Sequence, residues 1–290
     1  MKTKLAAVVA ALGVLAAGPA FAWGEVGHKV VALIAWKHLD PAVKAKVEAL
    51  LAADKDILTP PDFASRASWA DRWDQEHKET AKWHFADVEI TDGDLAKACY
   101  GFPKLAPGQI ASAGPADDCV IDKIPEFAAE LHDPATTEAE RILALKYLVH
   151  FIGDMHQPMH IADHEDRGGN CIPLDDGSGQ KRNLHGFWDT GVVKDLGPTP
   201  EAIADKLDGE IKPEDAEAWT KGGPVDWATE SFRLATSVAY KLPSLPTCKD
   251  QVAPQRLSMS YIQAARPVAA QQLQKAGIRL AATLNAVLGS

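Results

Sequence analysis

The segment from His150 to His160, HFIGDMHQPMH, sets three histidines and an aspartate among phenylalanine, isoleucine and methionine side chains. It closes a strongly apolar stretch, residues 138–155, whose pattern predicts a long helix capped by Thr136 or Thr137 and ending before Pro158. Ionisable groups are costly to bury unless each is paired with another group. Any fold of this chain must therefore supply partners for these side chains.

Helix geometry places His150 and Asp154 on one face, because residues four apart are neighbours on a helix surface. Gly153 leaves room for a close approach, and Pro158 turns the chain so that His160 can return to the same region. A single histidine here would most often be a core residue bonded to a helix carbonyl. The combination H-x3-D-x5-H instead favours a ligand cluster, since each further buried ionisable group needs its own partner.

Other segments carry the same residue types. They are NLHGFWDT with His185 and Asp189, SWAD with Asp71, WHFAD with His84, and WGEVGH with Trp23 and His28. Cleavage after Ala22 would free the α-amine of Trp23, whose reference pKa of about 7.7–8.0 lets a metal ion displace its proton. His156 lies on a different helix face from Asp154 and is not included. We expect four histidines in polar surroundings at the surface: His38, His77, His132 and His164.

Nitrogen and oxygen ligands without thiolate suit Zn²⁺ and similar ions. The candidate ligands are Trp23, His28, Asp71, His84, His150, Asp154, His160, His185 and Asp189. This set is too large for one tetrahedral ion with an open position, so it predicts two or three ions. Asp154 is the best candidate for a bridging carboxylate, because it lies between His150 and His160 in the chain and has two oxygens.

Residues 1–22 resemble a secretory leader, because Lys2 and Lys4 precede a short apolar run that ends in Ala20-Phe21-Ala22. We therefore expect an exported protein, periplasmic or secreted, with no membrane partner. The net charge is −10, which makes the chain a poor general binder of polyanions. An anionic substrate would need local cations, which bound metal would supply.

Four cysteines in an exported chain suggest two disulfides. Three pairings are possible, and we favour Cys99–Cys119 with Cys171–Cys248. A zinc site made of cysteines would need close C-x-x-C spacing, which the sequence lacks.

Helical patterns dominate the rest of the chain. Residues 28–52 predict two helices separated at Asp40-Pro41, and residues 225–241 and 255–286 predict two more, with a kink or break at Pro267. Residues 162–184 are rich in glycine, aspartate and asparagine and predict a loop or short hairpin. We expect a mainly α-helical, single compact domain over residues 23–290, with a metal-binding cleft.

Taken in order, the motifs resemble those of the zinc-dependent single-strand nucleases of fungi and plants, which are also 3′-nucleotidases. The matching motifs are an initial Trp-Gly with a histidine five residues on, SWAD, WHFAD, HFIGDMHQPMH, GGN and NLHGFWD. AGIRLAATLN (276–285) is similar to the closing helix of that family. The resemblance implies a helical fold with three zinc ions in a cleft.

Carried over residue by residue, the resemblance implies three metal sites. One ion would be held by Asp71, His84, His150 and Asp154, a second by Trp23, His28 and Asp154, and a third by His160, His185 and Asp189. The implied reaction is attack of a metal-activated hydroxide on phosphorus. Asp154 and Asp71 are the candidate catalytic residues: Asp154 would join the two ions that bind the attacking water, and Asp71 would orient that water. The expected products are 5′-nucleotides from single-stranded RNA and DNA, and nucleosides from 3′-nucleotides. We expect a monomer.

The resemblance also implies a base-binding site. Phe85 would stack on a base, Asp87 would bond to its edge, and the turn containing Gly169 and Asn170 would form a wall. Core packing is the simpler role for Phe85, and a cap or surface acid the simpler role for Asp87.

The fungal nucleases have an arginine three residues after the SWAD aspartate. This chain has Asp74 there, so either Arg72 replaces that phosphate contact or the contact is lost.

Two other functions fit parts of the pattern. The zinc-dependent phospholipase C of bacteria, from the same superfamily, also has an N-terminal tryptophan and a similar H-x3-D-x5-H segment. Its last ligand is a glutamate, whereas this chain has Asp189, and SWAD and WHFADVE match the nucleases.

A zinc-scavenging protein without catalysis would need closed ligand shells. Nine ligand groups for three ions leave positions open for water and substrate.

Overall fold

The computed structural model describes residues 23–177 and 179–289, so the leader expected at residues 1–22 lies outside the described residues. The described chain forms thirteen α-helices: α1 (Gly24–His38), α2 (Pro41–Ala53), α3 (Phe63–Arg66), α4 (Trp69–Trp73), α5 (Leu95–Ala98), α6 (Val120–His132), α7 (Glu138–Met155), α8 (Leu184–Gly186), α9 (Val192–Lys194), α10 (Pro200–Gly209), α11 (Pro213–Trp219), α12 (Pro224–Leu234) and α13 (Met259–Leu288).

Shorter elements connect these helices. Over the described residues they are the 3₁₀ helices Lys78–His84, Ala111–Ala113 and Pro158–His160, the π-helical turns Phe187–Gly191 and Ala235–Ala239, and the strands β1 (Pro173–Leu174) and β2 (Arg182–Asn183). The two strands pair antiparallel, with Leu174 opposite Arg182. The loop or hairpin expected at 162–184 is therefore confirmed.

Helix α7 runs through the middle of the protein. Every residue from Ala144 to Met155 is buried, so the helix packs on all sides, which its nearly continuous apolar sequence favours. Helices α1, α6 and α13 pack against it. One cluster of buried apolar residues extends from Trp23 to Leu288, which confirms a compact, mainly helical domain. Among the described helices, none is long and apolar enough to cross a membrane.

The predicted helix boundaries agree with local chemistry. Helix α1 ends at His38, and α2 begins at Pro41, where a missing N–H costs nothing because the first turn has no intrahelical acceptor for it. The Thr137 hydroxyl accepts a hydrogen bond from the Glu140 amide (3.3 Å), so Thr137 rather than Thr136 caps α7. Both favoured disulfides, Cys99–Cys119 and Cys171–Cys248, are confirmed.

Of the kink or break expected at Pro267, the break is wrong, because α13 continues from Met259 through Pro267 to Leu288. The kink stays a prediction. A proline inside a helix removes one hydrogen bond and crowds the preceding turn. Ala265 and Ala269, on either side of Pro267, are both fully buried. Packing of these flanking turns into the core offsets the local cost and keeps the helix whole.

The turn at residues 163–170 has an unusual backbone. Glu165, Arg167, Gly168 and Gly169 all have positive φ, and this conformation is strained for the two residues with side chains. The carboxylate of Asp163 accepts hydrogen bonds from the amides of Asp166 (3.1 Å) and Gly168 (3.0 Å). These bonds fix the turn, which borders the cleft described below.

Candidate metal centre and substrate cleft

The first part of the site forms where α1 crosses α7. The rings of His28 and His150 stack with centroids 4.0 Å apart and planes 14° apart. This contact depends on Gly153, because a Cβ there would lie 2.8 Å from Nδ1 of His28. The close approach that the sequence predicted at Gly153 is therefore that of a candidate ligand, His28.

Asp154 lies between three histidines from three separate elements. Its Oδ1 is 3.3 Å from Nε2 of His28, and its Oδ2 is 3.0 Å from Nδ1 of His84 and 3.1 Å from Nε2 of His150. Asp71, on α4, places its Oδ1 3.4 Å from the same His150 nitrogen. The two oxygens of Asp154 thus face different histidines, which is the arrangement a bridging carboxylate needs.

A second cluster lies after α7. Nε2 of His160 is 3.2 Å from Nε2 of His185, and the carboxylate of Asp189 lies 3.4 Å from His185 and 4.0 Å from His160. His160 follows the turn at Pro158, as expected. His185 and Asp189 lie four residues apart in the helical segment Leu184–Gly191.

Hydrogen bonds to backbone carbonyls set the protonation of three histidines. Nδ1 of His150, His160 and His185 donates to the carbonyls of Ala67 (2.7 Å), His84 (2.9 Å) and Gly168 (2.6 Å) respectively. A carbonyl only accepts, so each ring carries a proton on Nδ1 and turns its Nε2 towards the site. Such bonds to the far nitrogen are typical of histidine metal ligands.

Several buried nitrogen and oxygen atoms of the two clusters have no hydrogen-bond partner, and a metal cation would provide one. Burial lowers the pKa of His160 and lowers that of His185 to about 3, so neither ring takes a second proton at neutral pH. Their Nε2 atoms then face each other at 3.2 Å with no hydrogen between them. Both ring nitrogens of His28 and Oδ1 of Asp154 are also buried without a hydrogen bond among the described residues. Metal coordination would satisfy all these atoms.

The ligand spacing fits a small tetrahedral ion. Ligand atoms about 2.0–2.1 Å from tetrahedral zinc lie about 3.3–3.4 Å from one another. The distances of 3.0–3.4 Å around Asp154 and His150, and of 3.2 and 3.4 Å at His185, fall close to that value. Among the described residues, three groups that contain histidine have suitable ligand atoms within reach of one another: His28–His150–Asp154, Asp71–His84–His150 and His160–His185–Asp189.

The pKa shifts in both clusters also indicate that the site favours a bound cation. Burial lowers the pKa of His150, but the carboxylates of Asp154 and Asp71 outweigh it and hold that pKa well above its usual value. The site therefore stabilises positive charge at its centre. At the second cluster, burial raises the pKa of Asp189 well above its usual value, because its negative charge is poorly solvated. A bound cation would stabilise the ionised carboxylate.

Trp23 is fully buried, one turn before His28. Its carbonyl accepts a hydrogen bond from the Gly27 amide (3.0 Å) at the start of α1. The α-amine implied as a ligand requires cleavage before Trp23, so that role stays a prediction.

The remaining histidines behave as expected. His38 and His132 are exposed, and His77 and His164 are partly exposed. His156 is fully buried but belongs to another network, because its Nδ1 donates to the Ile152 carbonyl (2.7 Å) and its Nε2 accepts from Arg279 (2.7 Å). With both nitrogens occupied, His156 has no lone pair for a metal.

A cleft of about 270 Å³ opens over the two clusters. Its floor includes Asp71, His84, His160 and His185, and one side is formed by Phe85, Asp87, Gly168 and Asn170. The structure thus brings the predicted base-binding residues next to the predicted ligands. Gly169 lies just behind this wall, where an added Cβ would meet Met159 at 2.7 Å.

The cations of the cleft differ from those expected. Arg72 lies outside its lining and forms an ion pair with Glu25 (3.4 Å). Lys78 and Arg167 line the cleft instead. Sequence reasoning missed both, although Arg167 immediately precedes the Gly-Gly-Asn turn that it singled out.

Gln157 is a second residue that sequence reasoning missed, although it lies within the opening motif. Its side chain is fully buried, and its amide nitrogen donates to Oδ1 of Asp189 (2.6 Å). Its oxygen accepts from the Met159 amide (2.6 Å), which fixes the orientation of the side-chain amide. Gln157 therefore holds Asp189 in place for the cluster with His160 and His185.

We expect Gln157→Leu to weaken metal binding at the His160–His185–Asp189 cluster by about 10- to 100-fold, the usual cost of losing a residue that orients a ligand. Metal content measured during dialysis against graded chelator would show one ion lost early. Gln272→Leu is the matched control, because Gln272 is equally buried but bonds to Ser231, away from the cleft. Equal metal retention by both variants would contradict the role of Gln157.

Comparison with known proteins agrees with this geometry. The family model described as S1/P1 Nuclease matches residues 23–289. Endonuclease 2 of Arabidopsis thaliana is 29% identical over 92% of this chain and 91% of its own length. Nuclease P1 of Penicillium citrinum is 26% identical over 92% of this chain and 98% of its own, and Nuclease S1 of Aspergillus oryzae is 26% identical over 92% of both. With a match that spans all the candidate ligands, the chain belongs to the S1/P1 nuclease family and is a nuclease, a hydrolase of phosphodiester bonds.

Proposed function

We propose that this protein is an exported zinc-dependent endonuclease that hydrolyses single-stranded RNA and DNA to 5′-nucleotides and is also a 3′-nucleotidase. The observation that carries the proposal is the convergence of three histidine–aspartate groups beneath one cleft that also contains Phe85. The relatives are nucleases and endonucleases by name, which supports the nuclease part of the proposal. The substrate range and the metal are our inference.

Three zinc ions would be held by three ligand sets, two of which share Asp154. Asp71, His84, His150 and Asp154 would hold the first, the Trp23 amine, His28 and Asp154 the second, and His160, His185 and Asp189 the third. The separation of the two Asp154 oxygens towards different histidines supports the shared role. When bound, these ions would neutralise phosphate charge and lower the pKa of a bound water.

Two aspartates would then have different tasks. Asp154 is completely buried and serves as a ligand, away from substrate. Asp71 also lines the cleft, and its carboxylate would accept a hydrogen bond from the attacking water and orient it. Within the described residues the cleft lining contains no serine, threonine or cysteine, so no side chain there offers a hydroxyl or thiol nucleophile. Direct attack by water is therefore the simplest chemistry for this site.

Base recognition would take place at the side of the cleft. Phe85 is only partly buried and lines the opening, which favours stacking on a base over a pure packing role. Asp87 lies beside it in the cleft lining, with its side chain exposed to solvent. Its carboxylate would accept hydrogen bonds from a base edge. Stacking requires an unpaired base, so single strands are the preferred substrates.

Export rests on the leader expected at residues 1–22, and the two disulfides support it because they persist in oxidising compartments. Cleavage after Ala22 would leave a nuclease domain of residues 23–290. We propose that this domain acts as a monomer on soluble substrates, in the periplasm or outside the cell.

Metal content and substrate range, measured together, test the proposal. The protein beginning at Trp23 is expected to carry three zinc ions and to cleave single-stranded RNA, single-stranded DNA and 3′-nucleotides far faster than duplex DNA. Chelation should remove activity, and added zinc should restore it. Hydrolysis of phosphatidylcholine without cleavage of nucleic acid would instead support a phospholipase C, and zinc binding with no hydrolysis would support a zinc carrier.

A further inference from the structure

Arg167 is a cation of the cleft that forms no ion pair with the rest of the described protein. Its side chain is exposed and lines the cleft, and its guanidinium makes no hydrogen bond or ion pair with residues 23–177 or 179–289. Lys78, the other cation of the lining, lies 3.4 Å from Asp74 and offsets that charge. Arg167 thus keeps its full charge and donors for a ligand.

The backbone that carries Arg167 is fixed rather than loose. Arg167 has a φ of 59°, a left-handed conformation that costs energy for a residue with a side chain. The neighbouring carboxylates hold the turn, since Asp163 accepts from the Gly168 amide and Asp166 accepts from the Gly169 amide (2.9 Å). The Tyr240 hydroxyl in turn donates to Asp166 (2.9 Å). This bonding maintains a strained conformation that directs one arginine to the edge of the cleft.

The charge of Arg167 acts at the base-binding side. The guanidinium of Arg167 acts electrostatically on the exposed Asp87 carboxylate, in the direction that lowers its pKa. Asp87 lines the cleft with Phe85 and Asn170. Arg167 is therefore associated with the wall that receives the base. A phosphate at the metal clusters would be neutralised by the proposed metal ions and would not need Arg167.

This placement distinguishes the two phosphates that flank a nucleoside in a strand. Under the proposed function, on which this step rests, the base stacks on Phe85 and the 3′-phosphate lies over the metal ligands. The phosphate on the 5′ side then lies away from the clusters, at the cleft edge. A guanidinium matches a phosphate with paired hydrogen bonds. We propose that Arg167 binds the phosphate on the 5′ side of the nucleoside whose 3′ bond is cleaved.

If Arg167 binds this phosphate, a substrate that carries a 5′-phosphate should be cleaved faster than the same substrate with a free 5′-hydroxyl. Adenylyl-adenosine with and without a 5′-phosphate, pApA and ApA, tests this directly. We expect kcat/KM to be about fivefold higher for pApA, the size of one solvent-exposed charged contact. Arg167→Gln should reduce that ratio to about one, and Arg167→Lys should keep part of it. Hydrolysis of 3′-AMP, which has no 5′-phosphate, should fall much less than hydrolysis of pApA.

Matched variants and metal analysis separate the possible failures. Lys82→Gln removes a surface cation that pairs with Asp117 outside the cleft, and it should keep the wild-type ratio. The inference is overturned if Arg167→Gln lowers kcat/KM equally for pApA, ApA and 3′-AMP, if wild type shows no preference, or if Arg72→Gln rather than Arg167→Gln removes it. If zinc-loaded wild-type protein cleaves none of these substrates, the proposed function itself fails.

Discussion

Asp154→Asn is expected to release two of the three proposed zinc ions and to lower single-strand nuclease activity by more than about a hundredfold. Losing a residue that merely orients a ligand typically costs 10- to 100-fold, and Asp154 would be a direct ligand of two ions. Its oxygens lie 3.0–3.3 Å from nitrogens of His28, His84 and His150. Asparagine keeps the shape but loses the charge and one ligand oxygen.

Metal content by mass spectrometry and initial rates on single-stranded RNA measure this effect. Asp118→Asn is the matched control, because Asp118 is equally buried but pairs with Lys123 (3.2 Å), away from the cleft. The remaining zinc in Asp154→Asn should be at His160, His185 and Asp189. A variant that retains three ions and near-normal rates would rule out the shared carboxylate.

The second large effect concerns the start of the mature chain. We expect one additional residue before Trp23 to remove one zinc ion and to lower activity by at least about tenfold. An extended chain has a peptide amide where the mature protein would have a free amine, and an amide nitrogen has no available lone pair for a metal. The full burial of Trp23 leaves little freedom to move the added residue aside.

A removable extension provides the control. If a protease cleaves the added residues to regenerate Trp23 as the first residue, zinc content and activity should both return. Extension at the other end of the chain should have no effect. If the extended protein keeps three zinc ions and full activity, the Trp23 amine is not a ligand and His28 must complete its site in another way.

The sequence was sufficient for those parts of the site that depend on local spacing. His150 and Asp154 lie four apart in a helix, so their common face follows from helix geometry. The start of α2 at Pro41 follows equally from local backbone chemistry. The joining of α1, α4 and α7 into one cluster came from the resemblance, because residue spacing alone does not tell which helices cross.

Other features depend on contacts that a sequence does not encode locally. Pro267 lies inside a continuous helix because tertiary packing outweighs its local preference. Arg72 follows a ligand directly in the chain, yet it points to Glu25, since successive residues on a helix face different directions. The importance of Gln157 appears only when Asp189, more than thirty residues later, is seen at its amide.

The Cys171–Cys248 disulfide has a consequence for the unfolded chain. The two cysteines are 77 residues apart, and the segment between them contains β1, β2, His185 and Asp189. Closing a loop of that length removes conformational entropy from the unfolded state, which stabilises the fold by about 4–5 kcal/mol in the chain-entropy model. Much of this protein's margin against unfolding would therefore be set by one covalent bond, which closes a loop that contains two of the candidate metal ligands.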